Sequence, residues 1–119
     1  MNWYLSKIVY RIVCGEGKHT PQFDEQLRLI EAEDETTAFA KARSIGEKEQ
    51  EMFLNREHNL VQWQFVNVSE LYKISALIDG AELYSRIQES DNADLYMEVV
   101  HKKAAHIQSN ITHKFLQLF

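Results

Sequence analysis

Trp3-Tyr4-Leu5-Ser6-Lys7-Ile8-Val9-Tyr10-Arg11-Ile12-Val13 is the stretch on which the fold turns. Ile8, Val9, Tyr10, Ile12 and Val13 are β-branched or aromatic, and Gly15 and Gly17 close the run, so residues 3–13 are predicted to form a strand. Alternation puts Tyr4, Ser6, Ile8, Tyr10 and Ile12 on one face and Leu5, Lys7, Val9, Arg11 and Val13 on the other. Neither face is fully polar, so each is expected to meet something other than bulk water.

The rest of the chain supplies neighbours and a cover. Residues 14–22 are a connection holding two of the four glycines and the only proline, Pro21. Residues 26–32 form a second strand, with Leu27 and Leu29 opposite Arg28, Ile30 and Ala32. Asp34 reads as an N-cap with Glu35 complementing the helix dipole. Ala38, Phe39, Ala42, Ile45, Met52 and Phe53 then recur at helical spacing, which predicts one long helix ended by residues 55–59. Gly46 lies inside it at a cost of about 1 kcal/mol relative to alanine, which close approach to a sheet would explain. Residues 60–68 form a third strand, with Val61, Trp63 and Phe65 alternating against Gln62, Gln64 and Val66. Residues 69–78 fit either a short helical turn or an irregular edge. Asp79-Gly80 is a turn signal, and residues 81–89 read as a fourth strand. Asp91 or Asn92 caps a last helix, in which Ala93, Met97, Val100, Ala104, Ile107 and Ile111 make a continuous apolar seam. The expected fold is a two-layer α+β domain of order β-β-α-β-β-α, a four-stranded, mainly antiparallel sheet with two helices on one face.

At 119 residues and 14.0 kDa the chain suits one domain, able to bury roughly two-thirds of its unfolded surface. Apolar residues at 45% exclude a disordered chain, and a net charge of −5 argues against nucleic acid or an anionic membrane as partner. A single cysteine, Cys14, cannot form an intrachain disulfide and suits a reducing compartment. No signal peptide and no apolar run of transmembrane length is visible, so the expected location is the cytoplasm.

The opening Trp3-Tyr4-Leu5-Ser6-Lys7, the loop from Gly15 through His19, Pro21 and Phe23 to Gln26, and the later Asp79-Gly80-Ala81-Glu82-Leu83-Tyr84-Ser85 resemble one family, the domain of unknown function numbered 4288. The resemblance runs up to the last helix. It implies a bacterial cytosolic setting and a short domain, and brings no activity and no assigned site.

Three constellations are candidates for chemistry. Cys14, Glu16 and His19 put a thiol, a carboxylate and an imidazole within six residues, interleaved with glycines and Lys18. A nucleophilic pair there would need the imidazole within hydrogen-bond reach of the sulfur; the alternative is a hairpin loop with a structural cysteine at a strand end. Lys7, Arg11, Arg28 and Arg86, with Tyr84, Gln62 and Gln64, would form a basic sheet face able to take a small anionic ligand if the strands register suitably. His101, His106 and His113 are spaced by five and seven residues. Five residues turn about 140° around a helix, so these histidines do not converge on one ion. No metal and no cofactor is expected.

Together these features point to a non-enzymatic, homodimeric interaction or binding module. The alternatives are a small enzyme using the Cys14–His19 loop and an anion-binding regulatory domain using the basic face. The homodimer is expected from the apolar end of the chain: Ile111, Phe115, Leu116, Leu118 and Phe119 need cover, whether residues 109–119 continue the helix or run extended along a sheet edge. That cover is either the chain's own sheet or, the reading favoured here, a partner subunit.

Overall fold

The computed structural model describes residues 1–117. They form β1 (Asn2–Cys14), β2 (Gln22–Ala32), α1 (Glu35–Lys48), β3 (Glu51–Leu54), β4 (Leu60–Ile74) and α2 (Ala93–Leu116). The sheet has the order β2-β1-β4-β3, antiparallel throughout. The chain divides into two compact units, Met1–Ser85 and Arg86–Phe119.

In the first unit, β1 is central, which explains why both of its faces are rich in apolar side chains. β1 and β2 pair without irregularity from Asn2↔Ala32 to Ile12↔Gln22. Against β4 the register slips twice, between Lys7 and Ile8 and between Val9 and Tyr10, leaving Ser69 and Val66 of β4 as extra residues. Each bulge bends and twists its strand, and the sheet curls into a half-barrel.

One face of the sheet receives α1. Asp34 caps it, accepting from the Thr37 backbone N–H at 2.7 Å. The helix buries Ala38, Ala42 and Gly46, four residues apart, against Tyr4, Ile30 and Ala32, with Ile45, Val68 and Leu71 packed around them. Small residues on this stripe let the helix lie close to the strands. A Cβ at Gly46 would fall inside van der Waals contact with the Phe65 ring, so the expected close approach is the reason for that glycine. The Tyr10 hydroxyl donates to the Gly46 carbonyl at 2.9 Å from below.

Three expectations about element boundaries are corrected. The first helix stops at Lys48 and does not reach Met52 and Phe53, which lie on the edge strand β3. Gln50 marks the break: its side chain accepts from the Phe65 N–H at 2.9 Å and donates to the Glu47 carbonyl, tying the helix end to β4. Phe53 stacks on Trp63, with ring centroids 5.9 Å apart. Residues 55–59 are therefore a hairpin turn. The Asn55 carboxamide accepts from the N–H groups of Glu57 and Asn59, and His58 has φ +62°.

The third strand does not stop at residue 68; β4 runs on to Ile74 and absorbs the ambiguous stretch as far as that residue. Residues 81–89 are not a strand. The turn before them is present, with Gly80 at φ +81° and the Ala81 N–H bonded to the Ile78 carbonyl. Beyond that turn the chain packs by side chains instead of pairing: Tyr84 sets its ring edge-to-face on Tyr72 at 5.4 Å. The order β-β-α-β-β-α stands, but its second strand pair is β3–β4.

The second unit is dominated by α2, capped as expected by Asn92, whose side chain accepts from the Leu95 N–H at 3.0 Å. None of its described residues is buried.

Candidate functional site

The Cys14–His19 loop closes the β1–β2 hairpin and is held by backbone bonds, one of them to β4, and by the His19 ring. Gly15 (φ +56°) and Gly17 (φ +78°) adopt left-handed conformations that other residues resist, which accounts for both glycines. The Gly15 N–H bonds to the Leu60 carbonyl at 2.7 Å and the Gly17 N–H to the Cys14 carbonyl at 3.0 Å. His19 Nε2 accepts the backbone N–H of Cys14 at 3.0 Å, while Nδ1 donates to the Thr20 carbonyl at 2.9 Å. Both ring nitrogens are thus committed to backbone groups, and the geometry fixes the neutral Nδ1–H tautomer. A ring held this way has no lone pair left to take a proton from the thiol. Glu16 is exposed and paired with Lys18 at 3.3 Å. The structure brings Cys14 and His19 together, but as a turn lock.

The residues proposed for a basic face are distributed otherwise. Lys7 and Arg11 lie on the face turned away from α1, where Arg11 stands opposite Gln64 and Gln64 donates to Gln62 at 2.8 Å. Lys7 is paired with Glu70 at 2.8 Å, and that hydrogen bond raises its pKa. The other Glu70 oxygen accepts from the Tyr72 hydroxyl at 3.0 Å, which raises the pKa of that phenol. Tyr84, resting on Tyr72, completes this cluster. Arg28 stands opposite Ser6 and so shares the helix-facing side of the sheet. Arg86 belongs to the second unit and bonds to Gln88. Within the first unit the cations are therefore not gathered: Lys7 is paired with Glu70 and Arg28 is across the sheet.

Sequence reasoning missed a polar cleft of about 410 Å³ on the helix-facing side, at the C-terminal end of α1. Tyr10, Gln26, Arg28, Glu49, Gln50 and Trp63 line it, from three strands and the helix end. Its hydrogen bonds form a chain. The Trp63 indole donates to Asp24 at 3.1 Å, and Gln26 donates to the same carboxylate oxygen at 2.7 Å. Arg28 donates to Gln26 at 2.8 Å and meets Glu49 at 2.5 Å. Burial, with Glu49 nearby, pushes the Tyr10 phenol up, and Arg28 works against this. The signal was present in the alternation of residues 22–32, which puts Asp24, Gln26 and Arg28 on the side of Ile30 and Ala32, where apolar residues would be expected. Arg28 and Lys48 face Asp24, Glu49 and Glu51 here, a balance that gives a small anion little attraction.

Apolar side chains also line α2, within the second unit. Met97, Val100, Ile107 and Ile111 of the seam are each about half exposed, at 50%, 48%, 59% and 56%. His106 meets Asn110 and His113 meets Gln117 along the helix. Among the described residues there is no group of three metal-ligating side chains, and no helix is long and apolar enough to cross a membrane. Leu118 and Phe119 lie outside the described residues.

A curled four-stranded antiparallel sheet with one close-packed helix defines the first unit as a small α+β module. Its sequence, over residues 3–85, matches the family model described as Domain of unknown function (DUF4288), and the chain belongs to that family. The match ends at Ser85, where the first compact unit ends, so α2 lies beyond it. No curated protein and no solved structure matches the chain.

Proposed function

We propose that this protein is a non-enzymatic interaction module that works as a homodimer, with α2 as its self-association element. The observation that carries the reading is a 24-residue helix with a continuous apolar seam and, among the described residues, no buried one. An amphipathic helix of this kind draws its stability from covering that seam. Covering four half-exposed seam side chains on each of two helices gains on the order of 10 kcal/mol. That is comparable with the roughly 4–15 kcal/mol that association costs, so the seam alone supports a weak dimer. The outward face of the sheet supports a tighter one, because Phe23, Leu27 and Leu29 of β2 are each more than half exposed. The committed tautomer of His19 favours this reading over an enzyme built on the Cys14–His19 loop. The cytoplasm is the compartment proposed, for which the lone, half-buried Cys14 is the support.

Sedimentation of the full chain at micromolar concentration tests the proposal. A dimer that shifts toward monomer on Val100→Asp and Ile107→Asp, with helix content of the rest retained, is the expected result. A monomer at those concentrations rejects it, and a dimer indifferent to both substitutions moves the interface to the sheet.

A further inference from the structure

We propose that α2 pairs antiparallel with α2 of a second copy of this chain, setting Ala93 against Ile111, Met97 against Ile107 and Val100 against Ala104 across the interface. The proposal rests on the self-association argued above and fixes its geometry. The seam spacing of four and three residues is that of a coiled coil, with Met97, Ala104 and Ile111 at one core position of the heptad and Ala93, Val100 and Ile107 at the other.

Volume decides the direction. A parallel, in-register pair would stack Ala93 on Ala93 and Ala104 on Ala104, leaving one thin layer at the start of the seam and another between the bulkier layers of Val100 and Ile107. The antiparallel register opposes each alanine to a β-branched residue, Ile111 or Val100, and every layer then has a large side chain to fill it. The next core position after Ile111 is Lys114. In a parallel pair two Lys114 ammonium groups would face each other in the seam. In the antiparallel pair each passes beyond the partner's Ala93 and reaches the acidic approach to the helix, where Asp91 lies.

Charge agrees. The start of the helix and its approach carry Asp91 and Asp94, its far half carries Lys114 without an acid, and Glu98 pairs with Lys102 within the helix at 3.1 Å. Antiparallel pairing opposes these halves and the two helix dipoles, while parallel pairing aligns like with like. The one adverse contact is between the two Lys103 side chains near the midpoint; these are solvated, and exposed pairs of this kind contribute little.

The test is thiol cross-linking in the full chain carrying Cys14→Ser, with Ala93→Cys and Ile111→Cys made separately and helix content checked by circular dichroism. In the antiparallel register, like positions lie about 27 Å apart along the axis, beyond a short bismaleimide. Neither variant should therefore cross-link to itself, and an equal mixture of the two should give the covalent dimer. Self-linking of Ala93→Cys alone would mean a parallel pair and overturn the proposal. Absence of product in the mixture, from a chain that sediments as a dimer, would overturn it too and place the contact on another surface. If the Cys14→Ser chain sediments as a monomer, the self-association reading fails first and this geometry fails with it.

Discussion

Trp63 of β4 donates its indole N–H to Asp24 of β2 across the whole width of the intervening strand β1. Gln26 converges on the same oxygen, so one carboxylate holds two donors from two strands. Asp24→Ala should destabilise the fold by about 1–3 kcal/mol, since both donors lose their acceptor in a part-buried setting. Trp63→Phe, which removes the donor together with its ring nitrogen, should cost less. Urea midpoints for the two variants check this, and equal losses would show that the indole contributes by packing alone.

His19 is expected to matter for stability and not for thiol chemistry. His19→Ala removes the acceptor of the Cys14 N–H and should cost about 0.5–1.5 kcal/mol. The alkylation rate of Cys14 should be unchanged, because the ring's nitrogens serve the backbone. A large fall in that rate on His19→Ala would establish a working thiol–imidazole pair.

Gly46→Ala opposes two effects. Helix propensity favours alanine by about 1 kcal/mol, while overpacking a tight contact costs about 1–3 kcal/mol. The Phe65 ring leaves no room, and a shift of the helix would also disturb the Tyr10 bond to the Gly46 carbonyl. Net destabilisation is expected, with partial rescue by Phe65→Leu. A stabilised Gly46→Ala would mean the helix can rise from the sheet at no cost.

Alkaline stability should depend on Glu70. Its bonds raise the pKa values of Lys7 and Tyr72 above their ordinary 10.5 and 10.0. Both groups hold their protons more firmly folded than unfolded, so unfolding releases protons. Their stabilising contribution is complete below about pH 10 and lost as pH rises through the raised folded values. Glu70→Gln should flatten this part of the profile, leaving the share due to Tyr10, whose pKa burial raises. A denaturation midpoint that falls equally steeply in both proteins at higher pH would contradict the assignment.

What the sequence disclosed depends on how local the cause was. The Asp34 cap, the Asn92 cap, the turn at Gly80 and the central strand were legible because each is set by a few neighbouring residues. Gly46 was legible as a close approach, though Phe65 as its neighbour was not. Met52 and Phe53 fit the helical period at Ile45, and long-range contacts decide against it: the Phe65 N–H bonds to Gln50, and Glu51–Leu54 pair with β4. Residues 81–89 alternate like a strand, but alternation cannot show whether an edge is there to pair with. The basic face failed on register: Arg28 sits opposite Ser6, so it points away from Lys7, and a single-residue offset decides that sign. The polar cleft was hidden for the same reason, since Asp24, Gln26 and Arg28 gain meaning only once Trp63 is known to lie two strands away.

The strand order has a consequence for how the chain is made. β1 is synthesised first and needs both β2 and β4 beside it, yet α1 and β3 intervene between the end of β2 at Ala32 and the start of β4 at Leu60. At ribosomal speeds of about 5–20 residues per second, the hairpin of β1 and β2 waits seconds with one edge of its most apolar strand unpaired. A nascent chain in that state offers a template to any neighbouring strand. Synthesis slowed between residues 32 and 74 would lengthen the exposure, so the yield of folded protein should respond to codon choice in that interval more than anywhere after it.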